Sequence, residues 1–199
     1  MRHVTFFVLV IACGAGGVAR AEGPLVVRVG AGLAFDRWSV KDAVEYGDHR
    51  YGPGLQLDAG IRVRPELAVG AHLGLMRSWG TDTEYRNPDF YSFDMVYTSI
   101  QLGVSVQYVV RDRYWIAPWI GVDDKRISGE STTSTSDARL GLGLDLGADL
   151  WRRQGHRFGV YAEIAGSRQT DFNPYAGPDG RDITQSDLYL TVGASYRYW

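Results

Sequence analysis

Residues 139–150, RLGLGLDLGADL, constrain the chain more than any other stretch. The even positions are all apolar (Leu140, Leu142, Leu144, Leu146, Ala148 and Leu150). The odd ones are Arg139, Gly141, Gly143, Asp145, Gly147 and Asp149. Successive side chains of a strand point to opposite faces, so this run has one oily face and one of glycine and charge. On a helix the same leucines would surround the axis and bury nothing selectively. The run reads as a strand, of about the 9–11 residues that a tilted strand needs to cross a bilayer.

Seven further segments alternate in the same way: 25–35, 55–64, 67–75, 96–110, 114–122, 158–166 and 188–198. In 114–122 the oily face is Ile116, Pro118, Ile120 and Val122, and Pro118 removes one ladder donor. Between the segments lie short turn signals at Pro65-Glu66, Arg111-Asp112-Arg113 and 151–157. Longer polar connections are expected at 39–50, 80–94, 123–138 and 171–185, with Lys41 and Lys125 in loops or at a strand end. Long and short connections alternate strictly, and no segment has a sustained 3.6 period. The expected fold class is all-β, an eight-stranded antiparallel up-and-down barrel that crosses a membrane.

No apolar run reaches the length of about 18 residues that a transmembrane helix requires. The N-terminus has the parts of a secretory leader: Arg2 and His3, an apolar stretch over 4–12, and Ala19-Arg20-Ala21 before Glu22. The expected organisation is a signal peptide over 1–21 and one barrel domain over 22–199. A lipoprotein alternative through Cys13 leaves an unusually short leader. Cys13 is the only cysteine, so 22–199 holds neither a disulfide nor thiol chemistry. That span carries 19 Lys and Arg against 23 Asp and Glu, which argues against nucleic acid as a partner.

Alternation alone does not say which face points inward, and a secreted lipocalin-like barrel would alternate equally well. Three features favour lipid on the oily side. The polar face is rich in glycine and holds no lysine, which suits a crowded interior better than a solvated surface. Long and short connections sort to opposite ends. Aromatics gather near segment ends: Trp38, Trp79 and Tyr97 at one, Tyr108, Tyr114, Trp115, Phe158, Tyr196, Tyr198 and Trp199 at the other. The pattern resembles the small eight-stranded outer-membrane proteins of Gram-negative bacteria, of the OmpA-barrel and OmpX type. The C-terminal LYLTVGASYRYW looks like the aromatic-ending signal read by the barrel-assembly machinery. Its alternating hydrophobics Tyr198, Tyr196 and Val192 lie one residue out of phase with Trp199. The resemblance implies outer-membrane lipids and that machinery as partners, both mature termini in the periplasm, and long loops outside for an extracellular ligand.

Little in the chain suggests catalysis. Gly30-Ala31-Gly32 and Gly141-x-Gly143 open no helix, so no dinucleotide cofactor is expected. His3, His49, His72 and His156 are too scattered for a metal cluster, and none is expected. His72 is followed by Leu73-Gly74, which departs from the His-x-Ser motif of outer-membrane lipid A deacylases. The inward parity instead collects Arg28, Asp58, Arg62, Arg64, Arg139, Asp145, Asp149, Glu163, Asp187 and Arg197, with Asp36 and His72. An eight-stranded barrel is just wide enough for its side chains to fill, so these charges should form one network that blocks the lumen. The function expected is structural or surface-interacting and non-enzymatic. The alternatives are an OmpW-like conduit for small hydrophobic molecules and a lipid-modifying enzyme. Mass spectrometry of the mature protein should find its N-terminus at Glu22; a diacylglyceryl group on Cys13 would refute that leader assignment.

Overall fold

A computed structural model describes residues 25–41, 47–86, 89–129, 132–173 and 181–199. The leader expected over 1–21 lies outside the described residues. Eight strands follow in order: β1 (Leu25–Lys41), β2 (Gly47–Arg64), β3 (Leu67–Arg86), β4 (Asp89–Val110), β5 (Tyr114–Gly129), β6 (Thr132–Arg153), β7 (His156–Asn173) and β8 (Arg181–Tyr198). Each pairs antiparallel with its sequence neighbours, and β8 returns to β1 to close the barrel. Closure removes the open edges that would otherwise leave a row of unpaired backbone groups.

The alternation maps onto the two faces of the wall. Leu33, Leu55, Leu102, Ile120, Leu142, Ile164 and Leu190 all point outward and are exposed. Arg28, Asp58, His72, Gln101, Asp145, Glu163 and Arg197 are buried inside. At the centre of β6, Leu144 lies opposite Pro118 and Ile164, and the next rung sets Asp145 opposite Ala117 and Glu163. Pro118 keeps its rung with Leu144 of β6, while the ladder to β4 skips Ala117 and Pro118 and resumes at Tyr108↔Ile116.

Glycine on β6 has a steric reason. Gly143 and Gly147 are the register partners of Trp119 and Trp115, whose indoles turn inward. A Cβ on Gly143 would lie 2.1 Å from Trp119 Nε1, and one on Gly147 would lie 2.2 Å from Trp115 Cζ2. The leucine–glycine alternation therefore carries an apolar wall outside and floor space for two indoles inside.

Several sequence expectations are corrected. The four long connections are mostly strand: β3 and β4 pair from Leu67↔Tyr108 up to Arg86↔Asp89, and β5 and β6 pair up to Gly129↔Thr132. The last rung that β3 shares with β2 is Tyr51↔Trp79, and the last that β4 shares with β5 is Met95↔Gly129. Beyond those rungs β3 and β4 continue as a two-stranded ribbon. Lys125 is not in a loop; it lies in β5 and is buried. Arg64 is exposed, because a register shift between Arg62 and Arg64 turns the chain out at the end of β2. Tyr97 and Trp115 leave the expected aromatic girdles and point inward. Trp79, Tyr108, Tyr114 and Phe158 are outside and exposed as expected, and Tyr51 and Trp151, which the expected girdles did not include, join them.

The short connections are tight. Arg111 (φ 49) and Asp112 (φ 57), and Gln154 (φ 49) and Gly155 (φ 85), are left-handed pairs of the type I′ kind that suits the twist of a hairpin. In a bilayer, Leu144→Arg is expected to cost about 2–4 kcal/mol, as for a charge placed on the lipid face at the midplane. Reversible unfolding from lipid vesicles measures it, and a loss below about 1 kcal/mol would misplace either the face or the depth of Leu144.

Candidate functional site

Polar side chains meet inside the wall in three tiers. In the middle tier, Arg28 comes from β1, Asp58 from β2, His72 from β3 and Asp145 from β6. Arg28 Nε donates to Asp58 Oδ2 at 2.7 Å, and its Nη2 donates to both Asp58 and Asp145. His72 Nδ1 lies 3.1 Å from the other oxygen of Asp58. The His72 ring stacks on Trp119, with centroids 4.5 Å apart and planes 12° from parallel. Trp119 Nε1 in turn donates to Glu163 Oε1 at 3.1 Å, and Gln56 Nε2 donates to Glu163 Oε2. One chain of contacts thus crosses the barrel from β1 to β7.

The tier toward the longer connections is built on Lys125. Its Nζ donates to Asp36 at 3.3 Å and to Asp187. Arg139 Nη1 donates to Asp187 Oδ2 at 2.6 Å, and Arg50 approaches Asp36 at 3.8 Å. Arg50 also lies over the Tyr97 ring. Beside them Asp123 accepts from Tyr189 at 2.9 Å and from Ser99.

At the short-turn end Asp149 accepts from Arg197 and, at 3.3 Å, from Arg157. Trp115 carries Arg28 on its ring at 4.4 Å. Trp199, one residue out of phase with the outward tyrosines, lies under Arg62 and Arg197, 5.3 and 5.0 Å from its ring. Its Nε1 donates to Pro65 O at 3.0 Å, and its backbone N–H donates to Gly155 O at 3.0 Å. The phase break at the C-terminus therefore places an indole across the floor of the barrel.

Of the inward charges expected from sequence, Arg28, Asp58 and Asp145 meet directly, as do Arg139 with Asp187 and Arg197 with Asp149. Glu163 joins the middle tier through Gln56 and Trp119. Arg62 stacks on Trp199, and Arg64 is outside altogether. Lys125, which the expected set of inward charges did not include, anchors a further tier. Parity puts Asp123 with Gly121 on the polar face, but it misses Lys125 because 123–138 reads as a polar loop; both continue the inward series of Trp115, Ala117, Trp119 and Gly121. Arg50 likewise falls in the polar stretch 39–50, yet it opposes Asp36 in register.

Asp58, His72 and Asp145 present ligand atoms within 4.8 Å of one another, a grouping that the scatter of histidines along the chain conceals. Arg28 already lies against both carboxylates, so a divalent cation would have to expel a buried guanidinium. The His72–Asp58 pair resembles part of a nucleophilic triad, but His72 Nε2 has no hydrogen-bond partner among the described residues, and the ring is buried against Trp119. Two internal voids, one beside Lys125 and Tyr189 and one beside Asp58 and Ser105, are about 10 Å³ each, space for about one water. At the tiers of the described residues the interior is packed side chain to side chain.

No family model and no curated protein matches the chain. Solved structures to which it is similar include OprG from Pseudomonas aeruginosa (12% identity, 89% of this chain and 98% of that one, TM-score 0.48). Ail, the attachment invasion locus protein of Yersinia pestis, is 12% identical over 89% of this chain and 100% of its own, with TM-score 0.46. Neisserial surface protein A is 14% identical over 88% of this chain and 96% of its own, with TM-score 0.46.

Asp145→Ala strips one partner from a fully buried guanidinium and is expected to cost about 3–5 kcal/mol of unfolding free energy. Arg126→Ala, which breaks an exposed pair with Asp124, should cost under about 1 kcal/mol. Equilibrium unfolding in detergent or lipid compares the two; equal small losses would mean that the interior is hydrated.

Proposed function

We propose that the protein is a non-enzymatic outer-membrane barrel of a Gram-negative bacterium, whose role is structural or surface-interacting. The observation that carries this reading is a continuous apolar outer belt around an interior filled by paired charges. A belt of leucine, isoleucine and valine exposed on every strand suits hydrocarbon as its solvent. An apolar, open lumen would favour a conduit for small hydrophobic molecules, and this lumen is neither apolar nor open at the tiers described. An enzyme would favour a histidine, a hydroxyl and an acid together near a rim; His72 and Asp58 lie at mid-height, against Trp119.

What is left for recognition is the surface beyond the belt. The β3–β4 ribbon and the long hairpins stand at the end opposite the three short turns, and they offer the area where an extracellular ligand would bind. In this reading both mature termini are periplasmic, the short turns face the periplasm, and insertion uses the barrel-assembly machinery. Planar-bilayer recording of the folded protein tests the sealed interior. Absence of steady conductance is expected; large, steady conductance from the wild type would overturn the reading and put the conduit first.

A further inference from the structure

The charge of the chain is divided between the two ends of the barrel. The three short connections, 64–66, 111–113 and 151–157, hold six arginines against two acids and no lysine. Leaving out Arg50, Asp123 and Lys125, which lie inside the barrel, the four long stretches 39–50, 80–94, 123–138 and 171–185 hold thirteen acids against four basic residues. At the short-turn end Arg64, Arg111, Arg113, Arg152 and Arg153 are exposed.

These arginines belong to one surface. Arg152 Nη1 and Arg157 Nη1 both donate to the carbonyl of Asp112, at 2.7 and 2.9 Å, which joins the second turn to the third. Trp199 joins the third turn to the first through Gly155 O and Pro65 O. The Arg111-Asp112 turn has two non-glycine residues at positive φ, an unfavourable choice that presents the Asp112 carbonyl and keeps Arg111 and Arg113 at the rim. Just above this rim the outward face carries exposed Tyr108, Tyr114, Trp151 and Phe158, with Trp151 and Phe158 in ring contact at 5.4 Å. Amphipathic rings followed by cations, at the edge of an apolar belt, match the order of hydrocarbon, interface and phosphate in a bilayer. Guanidinium forks bind phosphate oxygens in pairs, which ammonium groups do not.

We infer that this arginine rim is a binding surface for the phosphates of anionic phospholipids in the leaflet at the short-turn end. The inference rests on the membrane reading above and adds a lipid preference to it. The rim would fix the depth and orientation of the barrel by holding anionic headgroups at one end, while the acidic long connections repel them at the other.

Native mass spectrometry of the folded protein, released from mixed micelles holding equal phosphatidylglycerol and phosphatidylcholine, reads the preference directly. Wild type should retain phosphatidylglycerol over phosphatidylcholine by about tenfold, given several arginines at the headgroup plane. The variant Arg111→Gln/Arg113→Gln/Arg153→Gln spares the Asp112 clamp and should lose that preference while still folding, as checked by its heat-dependent gel mobility. Arg37→Gln/Arg77→Gln, exposed toward the opposite end, should keep it. Equal retention of the two lipids by wild type, or an unchanged preference in the triple variant, would overturn the inference and leave the membrane reading standing. Failure to retain any phospholipid would overturn both.

Discussion

Enclosing charge in a narrow barrel forces charged side chains to be compensated inside, by a counter-charge, a hydrogen bond or an aromatic face. Each ion taken from water into such a space costs several kcal/mol unless it is paired and hydrogen-bonded. Here Arg28 is held by two carboxylates, Asp58 and Asp145, that arrive from β2 and β6. Lys125 is held by Asp36 and Asp187 from β1 and β8. Residues far apart in sequence are therefore brought together by one requirement, and strands that share no rung become coupled. The outer wall has no comparable specificity: any apolar residue of suitable size satisfies it. Uniqueness of the fold comes from the inside.

Space is the second half of that constraint. The interior holds Trp115, Trp119, Tyr161 and Tyr189 together with the charged tiers, and this works only where the facing wall is bare. Gly143 and Gly147 supply bare wall beside the two indoles, and Gly30 does the same beside Tyr161, whose ring carbon would lie 2.9 Å from an added Cβ. Packing around the middle tier in turn fixes the His72 ring on Trp119. The same bareness would ruin a soluble β-sandwich core, where glycine in a strand leaves a hole. Glycine on the charged face and leucine on the other are thus one solution to filling a small cylinder and coating it with hydrocarbon.

How much of this is legible in the sequence follows from what the two-residue period reports. Parity assigns faces well wherever one face is apolar, and it placed Arg28, Asp58, Arg139, Asp145, Asp149, Glu163, Asp187 and Arg197 on the inward side, where they lie. It fails where neither face is apolar: 132–138, TTSTSDA, has no contrast to read, so the upper part of β6 looks like a loop. It fails at a register shift, which sends Arg64 out. Partner choice is illegible in principle, because closure and stagger decide which residue of β6 faces Arg28. The Lys125 tier depends on that stagger and no local pattern announces it, whereas the Asp58–His72 contact is a rung of the β2–β3 hairpin.

A lumen sealed by its own side chains stays closed to solutes while the folded barrel sits in lipid. Cys13 is the only cysteine, so single thiols can be placed cleanly in 22–199. Ser167→Cys and Ser105→Cys introduce near-isosteric probes at buried inward positions on β7 and β4, toward opposite ends of the interior. In reconstituted vesicles, both thiols should resist a small water-soluble maleimide supplied on both sides of the membrane, and should react fully after denaturation. Rapid labelling of either thiol in the folded protein would rule out a sealed lumen, because it would require a water-filled path through the tiers.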